Sequence, residues 1–293
     1  MSRGFGLAVW GFQQQLWTFY EMSKKTIVEF SRYPIAFGAL FVQIFLIIFM
    51  FLFAAIAFAP PPDDPTSGSI GQQVAGVMIY GFVINMFLSF TLWEIGFSIR
   101  EEQARGTLES LYLSPASKFG SLLSRIFAIL IFTGVFCALG VFLVHAMVGG
   151  IGFHNVGLAM VSLFFTISGL LGIGLLFAGI SIKLKESAQF LVTGAQFFFM
   201  IFSAQFFPFS ALRSLHPGIV DYVSGWLPVS YSVDLFRSLL IGLPPGYPEL
   251  AGGSVVTEFI IVILFGILSP VIGYIVYKYV ERKARKDGNL GEF

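Results

Sequence analysis

The chain has 293 residues, of which 56% are hydrophobic and 11% charged, with a mean hydropathy of +0.85. A water-soluble protein of this size cannot hide so much apolar surface, so its main solvent is lipid. The net charge of +1 points to no nucleic acid or other strongly charged partner, and the single Cys137 rules out an internal disulfide.

In chain order, residues 1–33 form the first unit. Phe5, Val9, Phe12, Leu16 and Phe19 fall on one face at helical spacing, with Gln13, Gln14, Thr18 and Glu21 opposite. This pattern predicts an amphipathic helix lying in the membrane interface, closed by Pro34. Residues 34–293 form the second unit, with apolar runs at 35–59, 74–99, 126–148, 156–182, 188–207 and 255–277. Each is about long enough to cross a hydrocarbon core of roughly 30 Å as a helix. The runs are continuously apolar rather than alternating, which excludes barrel strands. The expected fold is an all-α integral membrane protein of six transmembrane helices.

Lysine and arginine set the orientation. With the N-terminus inside, the inner segments hold all but two of the 17 basic residues, and the outer segments hold only Arg213 and Arg237. Both termini are expected in the cytoplasm, and the membrane is expected to be the cell membrane. Segment 60–73, rich in Pro and Asp, is then an outer loop, 149–155 a tight outer turn, and 208–254 a longer outer segment. Asp234 and Arg237 there stand three residues apart and can pair on a helix.

The inner segment between the second and third runs reads REEQARGTLESLYLSPASK, from Arg100 to Lys118. Gly106 supplies a break, Thr107 can cap a short helix with Glu109 in its first turn, and Pro115 stops it after Ser114. Leu108, Leu111 and Tyr112 give that helix an apolar face, and Glu101 and Glu102 precede it. Topology needs Lys and Arg in this loop but not these three glutamates. A solvated linker is the bland alternative.

In the fifth run Gln189, Thr193, Gln196, Met200 and Ser203 form a polar stripe at helical spacing, and Asn85 and Ser89 form a smaller one in the second. In hydrocarbon such stripes face protein or water. Two readings stay open: hydrogen bonding within one subunit, or a route along a dimer interface with Phe82, Phe197 and Phe202 beside it. Gly169, Gly172 and Gly174 suit close helix packing. Glu94, His145 and Glu258 fall near run ends, where interfacial placement is expected. No Lys follows a Gly, so no phosphate-binding loop is present, and the chain is not expected to be an enzyme.

The residues Glu101-Glu102, Gly106-Thr107-Leu108-Glu109 and Ser114-Pro115 resemble the cytoplasmic loop of ABC type-2 transporter permeases. A second stretch, FFPFSALRSLHPGIVDYVSGWLPVSYSVDLFRSLLIG over 206–242, resembles that family's segment between the last two spans. Pro208, Pro228, Tyr231, Asp234, Arg237 and Gly242 take its characteristic places, while Pro217 after His216 departs from its usual turn. The resemblance implies a coupling helix at 101–115 docking on a separate ATPase subunit, which carries the ATP and Mg. It also implies re-entrant helices capping the outer side and a dimer of permeases, most simply two copies of this chain. No cofactor is expected on the chain itself. The loop is more similar to the drug- and antibiotic-export branch. The alternatives are a polysaccharide or lipid-linked glycan exporter, and an ion-coupled secondary transporter, which would carry more ionisable residues at mid-membrane.

Overall fold

A computed structural model describes residues 34–57, 67–104, 118–148, 151–184, 187–241, 250 and 253–286, with isolated positions between 20 and 32. The N-terminal amphipathic stretch and the loop from Arg105 to Ala116 lie outside the described residues. So does Gly242.

The described chain is helical. Helix α1 spans Pro34–Ala57, α2 Ser67–Ala104, α3 Lys118–Val148 and α4 Val156–Leu184. After α5, Ala188–Phe202, come two short helices, α6 over Phe209–Leu215 and α7 over Pro217–Tyr222. A single 3-10 turn over Ser224–Trp226 leads to α8, Pro228–Ile241, and α9 covers Val255–Lys286. Among the described residues four segments are long and apolar enough to cross a membrane: Gln72–Ile95, Leu130–Met147, Val156–Ser181 and Val255–Lys283. They match the second, third, fourth and sixth expected runs. Helix α1 follows the first run with 24 residues.

The boundaries depart from the apolar runs in both directions. Helix α2 begins at Ser67, so half of the expected outer loop at 60–73 is helical. It continues to Ala104, five residues past its apolar run. Helix α9 likewise runs on to Lys286. Backbone hydrogen bonding within a helix does not stop where hydrophobicity does, so polar residues extend it freely. The fifth run shows the opposite departure. Expected to reach residue 207, its helix stops at Phe202 after 15 residues, about 22 Å and short of a full crossing.

That stop has a local cause. The Gln205 N–H bonds Met200 O and the Ala204 N–H bonds Ile201 O, the paired bonds of a Schellman ending. Ala204 takes the left-handed position with φ 49°, where glycine is usual. The backbone cost is on the order of 1 kcal/mol. Pro208 then leads into α6, and Pro217 opens α7 behind the extended His216.

Helix α9 packs along α4, and α2 lies against both α4 and α3. The α4–α9 contact is a close one. A Cβ on Gly172 would run into the backbone of Ser269 and Pro270, and one on Gly273 would strike the Gly172 carbonyl. Ser168 donates to Gly266 O at 2.7 Å and Ser269 to Gly169 O at 2.8 Å across the same seam. Gly169 and Gly174 also face neighbours too near to admit a side chain, Phe265 and Ile95. Small residues thus bring two apolar helices within reach of backbone hydrogen bonds, an effective attraction in lipid.

Helix α8 is the hub. Eleven consecutive residues, Val229 and Ser230 aside, bury from Ser232 through Ile241 together with those two, leaving only Tyr231 half-buried in that stretch. It packs against α2, α4 and α9. The turn at 151–155 ties its far end: the His154 N–H bonds Leu240 O and the Asn155 N–H bonds Leu239 O. Tyr80 on α2 fixes that turn from below through its hydroxyl to Gly152 O at 2.7 Å, and stacks edge-on against Phe236.

Candidate functional site

The polar stripes of α2 and α5 face each other. Asn85 donates through Nδ2 to Gln205 Oε1 at 2.6 Å. Gln196 donates to Ser89 Oγ at 2.8 Å and accepts from Trp93 Nε1 at 2.7 Å. Asn85 and Ser89 are buried, whereas Gln196 is half-buried and Trp93 exposed, so the ladder runs from the interior to an open rim. A chain of amides in an apolar setting fixes the crossing of α2 over α5, because each unmade bond there would be costly.

The other stripe residues spread around α5. Thr193 and Met200 are half-buried, Gln189 is exposed, and Ser203 is buried at the helix end. Phe82 is packed inside the core, Phe197 is exposed, and Phe202 is half-buried with its ring 4.8 Å from that of Phe198. The structure therefore brings Asn85, Ser89 and Gln196 together and leaves Gln189 and Phe197 apart from them.

Arg237 stands where α5 breaks. From the middle of α8 its guanidinium donates through Nη1 to Ala204 O at 2.7 Å and Phe207 O at 3.2 Å, and through Nη2 to Gln205 O at 2.5 Å. These carbonyls belong to the reversal that follows α5. A planar fork of donors suits several converging acceptors, and a positive charge suits a helix C-terminus. Gly81 on α2 makes room for this junction. A Cβ there would collide with the Gln205 carbonyl and the Arg237 guanidinium.

The remaining outer residues also tie loops to α8. Tyr231 donates its hydroxyl to Gly225 O at 2.8 Å, and the Asp234 carboxylate accepts the Leu250 N–H at 2.6 Å. Pro228 begins α8 and half-buried Pro208 precedes α6. The expected pairing of Asp234 with Arg237 across one helical turn is thus joined by bonds that reach well beyond the helix. Their effect is to fasten residues 204–207 on one side and 250 on the other.

Three participants escaped sequence reasoning. Gly81 stood alone in an apolar run with no partner pattern. Gln205 follows the polar stripe by two residues, past the point where the helical register ends. Glu258 was expected at an interface, and the structure corrects this: it is completely buried near the start of α9, against α8. Position near a run end says nothing about what a side chain packs against.

Of the inner elbow, Glu101 and Glu102 sit on the last turn of α2, while Gly106, Thr107, Leu108, Glu109, Leu111, Ser114 and Pro115 lie outside the described residues. No group of three metal-ligating side chains occurs among the described residues.

The site is one of helix junctions and amide ladders rather than of reacting groups. Comparison with known families fits that character. A family model described as ABC-2 family transporter protein matches residues 60–275, from before α2 to the middle of α9. No curated protein matches the chain significantly. The matched region contains the α2–α5 ladder, the broken end of α5 and the whole of α8, so the chain belongs to the ABC-2 family and is a multi-pass membrane permease of an ABC transporter.

Proposed function

We propose that the chain is the membrane subunit of an exporter, driven by ATP hydrolysis on a separate subunit through the elbow at 101–115. The length of α2 carries this reading. At 38 residues it is about 57 Å long, against a hydrocarbon core of roughly 30 Å. Its apolar segment ends at Ile95, and the helix continues to Ala104 as one rod. A push at Glu101 and Glu102 would therefore travel along a stiff lever to Asn85, Ser89 and the ladder with α5. Basic residues place this end inside, as the inner position of an ATPase requires.

Two copies would complete a route for cargo, with the open rim at Trp93, Gln196 and Phe197 at the seam between them. Six crossings follow if α1 and α5 with its continuation are counted with the four apolar segments, and α6 to α8 then form the outer cap. The aromatic and amide lining suits an amphiphilic or hydrophobic compound, since it offers no countercharges for a highly charged one. The drug-export branch is the closer likeness in the elbow sequence.

The test uses the detergent-extracted permease with its co-purifying ATPase. Gly106→Pro and Glu109→Lys should leave insertion and assembly intact yet abolish the stimulation of ATP hydrolysis by cargo. Full stimulation in both variants would remove the elbow from the coupling path. Intersubunit crosslinking of cysteines at Gln196 or Met200 tests the seam, and failure in every nucleotide state would sink it.

A further inference from the structure

Glu258 is the one buried side chain whose surroundings contradict its charge. It lies in the first turn of α9, completely inaccessible, and neither carboxyl oxygen receives a hydrogen bond from any N–H or O–H donor. The polar group against it is the Asp234 carboxyl of α8, within hydrogen-bonding reach. Asp234 is itself buried and already accepts the Leu250 N–H.

Two ionised carboxylates in dry contact repel, and burying one unpaired carboxylate costs far more than protonating it. The start of α9 offers a partial positive charge, but that is worth about 0.3–1 kcal/mol and cannot offset such burial. The nearby cation does not neutralise the pair either, because the Arg237 guanidinium is directed to the carbonyls of Ala204, Gln205 and Phe207. Tyr231 is close enough to feel Glu258 but donates its hydroxyl to Gly225 O. From the α3–α4 turn, His145 is held by the Ile151 N–H and His154 faces Leu240 O. Among the described residues no third carboxylate, histidine or cysteine joins the pair to hold a metal ion. Glu249, the other titratable residue of the 242–252 segment, lies outside the described residues. One proton is the smallest ligand that turns this contact from repulsive to attractive.

We propose that Glu258 and Asp234 are a proton-binding site that latches α8 to α9, one proton bridging the two carboxyls while the joint is closed. The proton is taken from water when the helices come together and returned to it when they part. Opening of the outer cap is thereby coupled to proton release. The sign follows directly: the closed joint holds one proton more than the open one, so acid favours closure and alkali favours opening. This goes beyond the exporter reading and stands on the pair's geometry whatever the cargo.

The experiment uses the full-length chain in lipid nanodiscs, with infrared difference spectra in H2O and D2O and amide hydrogen exchange across a pH series. A protonated-carboxyl band that shifts in D2O should be present at neutral pH and vanish in Glu258→Gln and in Asp234→Asn. As that band disappears at high pH in the wild type, exchange over α8 and Leu250 should rise at least tenfold relative to Glu258→Gln, once the intrinsic pH dependence of exchange is removed. Glu258→Gln keeps size and can donate to Asp234, so its exchange should stay flat. Absence of the band from the wild type, its persistence in both variants, or a joint tightened by sodium or calcium instead of by acid would overturn the proposal. If a variant fails to fold, the wild-type band and exchange series decide by themselves.

Discussion

Replacing Arg237 isolates the junction on which the outer half depends. In Arg237→Met the side chain keeps its length and apolar stem but loses three hydrogen bonds to carbonyls of the segment after α5. Bonds to a charged donor contribute about 1.5–3 kcal/mol each in protein interiors. Interhelical bonds in membrane proteins average nearer 0.6 kcal/mol, because the membrane-unfolded state finds other partners. Three bonds thus bracket the loss between about 2 and 9 kcal/mol. Removing the buried charge refunds part of its desolvation, so a loss of about 3 kcal/mol is expected, roughly 150-fold in the folding equilibrium. Arg237→Lys should recover less than half, since an ammonium cannot span three carbonyls as a planar fork does. The assay is equilibrium unfolding in mixed micelles, with the exposed Arg213→Met as a control that stays within about 0.5 kcal/mol of wild type. An Arg237→Met protein as stable as that control would refute the reasoning.

The same assay reads the close approaches. Gly81→Ala should cost about 1–3 kcal/mol by forcing α2 away from the Gln205 carbonyl and Arg237. Its effect should shrink in the Arg237→Met background, where one of the two obstacles is smaller. Gly172→Ala should separate α4 from α9 at Ser269 and Pro270, with a comparable loss in stability and faster proteolysis of the extracted protein. For the ladder, a double-mutant cycle with Asn85→Ala and Gln205→Ala should give a coupling of about 0.5–2 kcal/mol. Additive effects would mean that the bond contributes nothing. Gln196→Ala should change transport more than stability, because its ladder position opens to the rim beside exposed Trp93.

Much was legible from one-dimensional pattern. Transfer free energy acts on every residue of a span alike, so a continuous apolar run registers as a helix in lipid without any knowledge of its neighbours. Charge asymmetry gives an orientation for the same reason, and the motifs around Gly106 and Pro228 led to the family that the comparison then matched. The small residues of α4 were readable as packing sites because a missing side chain has few other uses in a span.

Contacts between distant segments carry no such signature. That α5 ends at Phe202 depends on a left-handed Ala204 and on an arginine 33 residues further along, which accepts the stranded carbonyls. The need for Gly81 exists only because that junction lies across from it. Glu258 looked like an interfacial carboxylate by position, yet helix packing sets it against Asp234 in the dry interior. Hydrophobicity is additive along a chain and can be summed in sequence order. Hydrogen bonding and charge pairing depend on separation and angle in space, and those come into being when the helices meet.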